Sequence, residues 1–329
     1  MIRRFIYETL HPEIYHGFNK PAPYFEGWYF KVLSADEQSR YAIIPGVFKG
    51  QDGQVNESFV QVLDGMTGTA TYHKYPVDAF RAHEEEFDVW VGDNHFRRDC
   101  LSLNINNEQL TVRGELRFGA GTGWPVSVLE PGVMGWYGWL PFMECYHGVL
   151  SFDHSVSGAL TVNGETKSLD GGRGYIEKDW GQSFPSAYVW MQTNHFDTPE
   201  TSLMTSAALI PSLGRTFTGF LLGFQHQNRL YKMATYTGAK IDRLELTDDH
   251  VYYTVVDREH RIELIAERRS GGLLKAPIRT EMHKRVDETM QSSVQVRLSR
   301  RDGYTIYEGT GRNAALEVHG DIPKLLSYL

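Results

Sequence analysis

GYIEKDWGQSFPSAYVWMQTNHF, residues 174–196, is the stretch on which the fold turns. Read as extended chain, Tyr175, Glu177 and Asp179 share one face, and Ile176, Lys178 and Trp180 share the other. Beyond Phe184-Pro185 a second run alternates in the same way. Tyr188, Trp190, Gln192, Asn194 and Phe196 fall on one side, and Val189, Met191, Thr193 and His195 on the other. Working outward, most of the chain repeats this period of two. YFEGWYFKVL, RYAIIPGVF, ESFVQVLD and QLTVRGELRF precede the stretch, and TFTGFLLGF, HVYYTVVD, RIELIAER and VQVRLSR follow it. Turn chemistry such as DGQ, NN and RRD separates the runs. Helical spacing is scarce: EMHKRVDETMQSS (281–293) and the tail IPKLLSYL (322–329) offer a turn or two. The expected fold is all-β, many antiparallel strands forming sandwiches or barrels, with little helix.

A chain of 329 residues can build two such units. A faint repeat supports them. An aromatic–Glu–Trp strand, a polar turn and an apolar strand ending in Pro45 recur in the same order from residue 174 to Pro211. The turn-rich SLDGGRG (168–174) then suggests a boundary, giving domains 1–170 and 171–329. Residues 121–158 are rich in Gly, Pro and Trp and poor in charge. That segment is too apolar for a solvated linker and is expected to cross a barrel mouth or pack between domains.

Composition narrows the function. A net charge of −8 removes the electrostatic basis for nucleic-acid binding, and the basic pieces between 258 and 269 are mixed in sign. Aromatic residues make up 13% of the chain, which favours β-structure and ring-lined interiors. Cys100 and Cys145 are too few for a disulfide scaffold and read as buried thiols of a reducing compartment. No continuous apolar run follows Arg3-Arg4, and none elsewhere is long enough to span a bilayer, so a soluble, cytoplasmic protein is expected. Without a visible basic amphipathic helix, membrane contact is expected to be transient at most. The oligomeric state is left open.

The charged and amide residues of the opening stretch are the site candidates. Glu177 and Asp179, roughly 7 Å apart on one strand face, interact, and in apolar surroundings one of them would stay protonated. The plainer alternative is that Lys178, Arg173 or another base neutralises them. Gln192 and Asn194 beside Trp190 could grip a ligand hydroxyl from within an aromatic wall, or simply belong to a solvent-facing strand. Glu26 and Trp28 pair on one strand face in the same manner, and Gly27 between them suggests a bulge or close backbone approach. Glu144 and His147 could meet in a turn, but the histidines are scattered and no HExxH occurs, so no metal is expected. No GxSxG elbow, phosphate loop or dinucleotide fingerprint is present.

As a set, Glu177, Lys178, Trp180, Gly181, Phe184, Pro185, Trp190, Gln192 and Asn194 resemble the signature of the tocopherol cyclase family. There a Glu-Lys-Asn-Trp-Gly run leads through Phe-Pro to an aromatic-Val-Gln-x-Asn strand. YFEGWYFKV, ESFVQVLD, GWYGWLPFMECYHGVLS and, later, YEGTGRNAALEVHG extend the likeness, which covers most of residues 20–200. This chain departs at Asp179, where the plant pattern has Asn, and at Gln182-Ser183, where small residues are usual. The plant targeting extension is not expected here. The family is related to two-domain lipocalin-like proteins that include carotenoid hydratases and secondary-metabolite cyclases.

The resemblance implies two lipocalin-like barrels or sandwiches and a cofactor-independent isomerase-class reaction. A proton adds to a trisubstituted alkene, and a phenol oxygen closes a chroman ring on the tertiary cation. The substrate would be a prenylated hydroquinone or another isoprenoid phenol. Asp179 or Glu177, with Glu26 third, would be the acid. Gln192 and Asn194 would hold the phenol, and Trp28, Trp180 and Trp190 would line the cation's path. Tyr175 shares the face of the carboxylates, and His147 or His195 could relay the proton. An alkene hydratase of the same fold, or a non-catalytic carrier of an isoprenoid or quinone lipid, would use the same apolar cup.

Overall fold

The computed structural model describes residues 2–212 and 214–329. The chain is all-β, with 60% of residues in strands and 9% in helix, arranged as two large antiparallel sheets. In the first, the strand Tyr24–Leu33 lies between Arg40–Lys49 and Gly172–Gly181. On the far side of Gly172–Gly181 comes the long strand Cys145–Val162. The sheet continues through Asn56–Asp64 and Thr69–Pro76 at one end, and through Thr111–Phe118 and Cys100–Asn106 to Phe80–Ala82 at the other. These ends approach each other. Asn94 Nδ2 donates to Tyr75 Oη at 3.1 Å, and Asn107 Nδ2 lies 2.7 Å from His73 Nδ1, so the sheet curls toward a barrel. Its inward side chains, among them Trp28, Phe30, Val60, Val89, Phe96 and Ile176, form one continuous core.

The second sheet is centred on Ala187–Thr193, Thr305–Gly320 and Met282–Arg300, with Thr201–Ser212, Arg215–His226 and Arg229–Ala234 on one flank. Val189, Met191, Leu203, Phe224, Tyr253 and Val294 belong to its core.

Three expectations change. The compact units are 1–184 with 273–285, and 185–272 with 286–329, so the division falls at Phe184-Pro185, not near residue 170. SLDGGRG is only the tight turn into Gly172–Gly181, a strand hydrogen-bonded on both sides within the first sheet. The supposed repeat dissolves for the same reason. YFEGWYF and YIEKDWG are neighbours, with Glu26 opposite Trp180 and Trp28 opposite Lys178. Residues 282–300 form a strand where a helical turn was expected, whereas the tail does form a short helix, Ile322–Leu326, capped by the Asp321 carboxylate.

A helix absent from the sequence reading spans Ile2–Leu10, and its Phe5 ring meets Trp139 at 6.0 Å. Trp139 belongs to the one helical segment of the apolar 121–158 region, Gly132–Trp139. Val133 and Met134 are buried there, while Leu129, Trp136 and Phe142 are exposed. Among the described residues, no helix is long and apolar enough to cross a membrane.

Candidate functional site

Strand Gly172–Gly181 carries two polar constellations, one on each face, and the alternation read from the sequence is what separates them. Its right end is fixed by Gly181, whose φ of +150° only glycine adopts readily and where a Cβ would sit 2.3 Å from the Glu144 carbonyl oxygen. The motif's glycine is therefore a requirement of strand pairing.

The inner face holds Lys178, with Trp28 directly opposite it and Glu26 opposite Trp180. Lys178 and Glu26 are both fully buried, and their Nζ and Oε1 lie 2.5 Å apart. The ammonium also donates to the Ile14 carbonyl and lies 2.7 Å from His16 Nδ1. It sits 4.9 Å from the Trp28 ring centre and 4.6 Å from that of Trp180. Glu26 in turn accepts from the His16 backbone N–H at 3.0 Å and from the Tyr24 hydroxyl. His16 Nε2 donates to the Glu8 carbonyl at 2.9 Å, which leaves Nδ1 as the acceptor of the lysine proton.

Burial opposes the charge on Glu26, but Lys178 and His16 outweigh it and hold the carboxyl below its ordinary range. Burial, with Lys178 beside it, likewise lowers His16 and keeps it neutral. This is a sealed ion pair that staples residues 14–16 onto the sheet. It leaves no proton on Glu26 to give, and the tryptophan faces expected to receive a substrate cation already receive a lysine.

On the outer face, Asp179 pairs in register with His147 of the neighbouring strand. His147 Nδ1 lies 2.8 Å from Asp179 Oδ1, and Nε2 lies 3.5 Å from Glu177 Oε2. Glu177 Oε2 also accepts from the Tyr175 hydroxyl at 2.5 Å. Burial would lower the imidazole's pKa, but Asp179 and then Glu177 overcome it and push it up to about 9. At neutral pH, then, an imidazolium is clamped between two carboxylates. Glu177 is buried, while the Asp179 side chain keeps 23% of its surface exposed. Neither Lys178 nor Arg173 neutralises these acids. Lys178 faces the other way, and Arg173 binds Asp153 at 2.7 Å. The donor atoms of His147, Glu177 and Asp179 lie within 4.8 Å of one another. A metal ion held there would first have to displace the imidazole proton.

The remaining candidates lie in the second unit. Trp190, Gln192 and Asn194 are buried, on the side of their strand opposite the core residues Val189 and Met191. Tyr188, next in that row, donates to Glu317 Oε2 at 2.7 Å. His195 Nδ1 lies 2.8 Å from Asn194 Oδ1.

Residues 104–320 match the family described as tocopherol cyclase-like. The chain belongs to that family. Among its relatives, the probable chloroplastic tocopherol cyclase of Oryza sativa subsp. japonica is 23% identical, the match covering 93% of this chain and 77% of that protein. The chloroplastic tocopherol cyclase of Zea mays is equally similar, at 23% identity over the same shares. Kievitone hydratase from Nectria haematococca has the same fold, with a TM-score of 0.51 at 14% identity over 93% of each chain.

In this tocopherol cyclase-like chain the Glu177-Lys178-Asp179-Trp180 run is thus not one site but two. Sequence reasoning grouped Glu26 with the acids of the opposite face and missed His16 and Tyr24. A lone histidine in EIYHGF gives no local signal, because Lys178, the charge it faces, comes from a strand 162 residues away.

Proposed function

We propose that the His147–Asp179–Glu177 cluster starts a proton-initiated cyclisation of a prenylated hydroquinone or similar isoprenoid phenol. The observation that carries this reading is an imidazole lying 2.8 Å from the Asp179 carboxylate and 3.5 Å from that of Glu177, the first reachable and the second buried. His147 holds the proton at neutral pH, and Asp179, at the accessible edge, passes it to the alkene carbon. Glu177, oriented by Tyr175, stays anionic and favours the tertiary cation. The phenol oxygen then bonds to the cationic carbon, and its proton returns through Asp179 to His147. Substrate and product have equal mass, and no co-reactant is consumed. Trp190, Gln192 and Asn194, which lie in the second unit, are not assigned to this step.

Hydration is the second reading, favoured by the exposed edge of Asp179, through which water could capture the cation. Kievitone hydratase, by its name a hydratase, is a protein of this fold and is compatible with it. A carrier would leave the ligand unaltered.

Incubation with a geranylgeranylated hydroquinone, followed by mass spectrometry, separates these outcomes. Equal mass with changed retention means cyclisation, a gain of water means hydration, and an unchanged ligand means carriage. For either chemistry, Asp179→Asn and His147→Gln should each lower kcat by about two orders of magnitude, with EDTA without effect. Turnover that survives both substitutions would remove the cluster from the reaction.

A further inference from the structure

The barrel-like first sheet contains a second feature that this chemistry does not use. A cavity of about 240 Å³ opens among the strands Arg40–Lys49, Asn56–Asp64, Thr69–Pro76, Cys100–Asn106, Thr111–Phe118 and Cys145–Val162. Its floor is made of Ile43, Val62, Leu103, Leu110, Val112 and Leu160, all nearly or fully buried. Leu160 stands on the same strand as His147 but 160 − 147 = 13 residues further along, up to roughly 40 Å at strand rise. The core contributes Trp28, Phe30, Phe96 and Ile176 from the same sheet, all buried and tightly packed. The cup is thus a cavity of its own, remote from the proton-delivering cluster.

The polar chemistry at the rim restricts what can enter. Asp64, Thr67, Thr69, Thr71, Gln109 and Asn163 supply hydroxyls, amides and one carboxylate, and among the described residues no lysine or arginine lines the cavity. Several of these groups are occupied in holding turns. Asp64 Oδ1 accepts from the Met66 backbone at 2.8 Å, and Asn163 Oδ1 accepts from that of Thr111 at 3.0 Å. Tyr41, also in the lining, keeps its phenol proton: burial, then Asp64 and Glu165, push its pKa up to about 12. An O–H donor therefore stands beside an apolar floor with an anion nearby. An anionic head group would meet Asp64, whose nearby cation Arg40 lies outside the lining and already answers Glu37 and Asp64, whereas a hydroxyl could bond to Tyr41 or a threonine. The volume lies below the ~300–1,000 Å³ of drug-sized sites, which limits the occupant to a small molecule or the end of a chain.

We propose that this cup binds a small, neutral, largely hydrocarbon alcohol, and that it selects against the corresponding carboxylate and diphosphate.

Geraniol, geranic acid and geranyl diphosphate are suitable probes, titrated into the full-length protein with labelled isoleucine, leucine and valine methyls. Geraniol should bind saturably and shift the methyl signals of Ile43, Val62 and Leu103, while geranic acid binds at least tenfold more weakly. Val112→Trp, which fills the cup, should abolish geraniol binding while leaving turnover of the hydroquinone unchanged. Asp64→Asn should raise the affinity for geranic acid relative to geraniol, so the proposal stays testable even if the tryptophan variant does not fold. Equal affinity for alcohol and acid, methyl shifts confined to other residues, or undiminished binding in a folded Val112→Trp protein would each overturn it.

Discussion

Lys178 shows how much one side chain can be asked to do. Its ammonium has no exposed surface, and its favourable contacts come from three stretches of chain: the Ile14 carbonyl and His16, Glu26 and Trp28 on the neighbouring strand, and Trp180 on its own strand. Removing one member of a buried ion pair leaves the other charge desolvated and unmatched, at a cost of about 3–5 kcal/mol. Lys178→Met should therefore destabilise the protein by about that amount in urea denaturation. Adding Glu26→Gln should restore much of the loss, because the stranded carboxylate is gone. A single variant of wild-type stability would show that the pair contributes little. The alternation of residues 175–180 told from sequence alone which side chains share a face. It could not tell that Glu26 belongs with Lys178 and not with Glu177, since register between strands far apart in sequence has no local signature.

At the scale of elements, His147 acts as a rivet between two strands, Cys145–Val162 and Gly172–Gly181. Its pKa is raised from 6.5 to about 9 by the carboxylates it joins. A base whose folded pKa exceeds its unfolded one adds stability that is complete below the unfolded value and lost as pH rises through the folded value. The stabilisation should thus be full below about pH 6.5 and gone above about pH 9. Melting temperatures measured from pH 6 to 10 should fall over that window, and His147→Gln should flatten the fall. An unchanged slope in the variant would mean the imidazolium is not what holds the strands. Most strands were legible because alternation is a local property. Residues 281–293 misled for a definite reason. Met282, Val286, Met290 and Val294 recur every four residues, a spacing shared by one helix face and by every second position of one strand face. All four are buried on a strand that runs from Met282 to Arg300.

For the whole molecule, the order of residues along the chain is not the order of its compact units. After Phe184 the chain enters the second unit, returns at Leu273 to complete the first, and leaves again after Arg285. No stretch of composition marks this return, which is why a single boundary was the natural sequence reading. The returning segment is built into the first unit by specific contacts. Gln61 exchanges two hydrogen bonds with the Lys275 backbone at 2.9 and 2.8 Å. Arg279 reaches the Gln182 side chain at 2.8 Å and Glu144 at 3.3 Å. Met282 completes an apolar cluster with Phe25, Phe48 and Phe59. A fragment ending at residue 184 would expose that cluster and leave the Gln61 amide, which is buried in the full chain, without its backbone partners. Losing a buried thioether alone costs about 2–5 kcal/mol, a large share of the roughly 5–15 kcal/mol that holds an ordinary domain together. Residues 2–184 should therefore unfold at a clearly lower urea midpoint than the same fragment carrying residues 272–286 on a flexible Gly/Ser linker. Coincident midpoints would mean that the first unit is complete at Phe184 and that the returning segment merely rests against it.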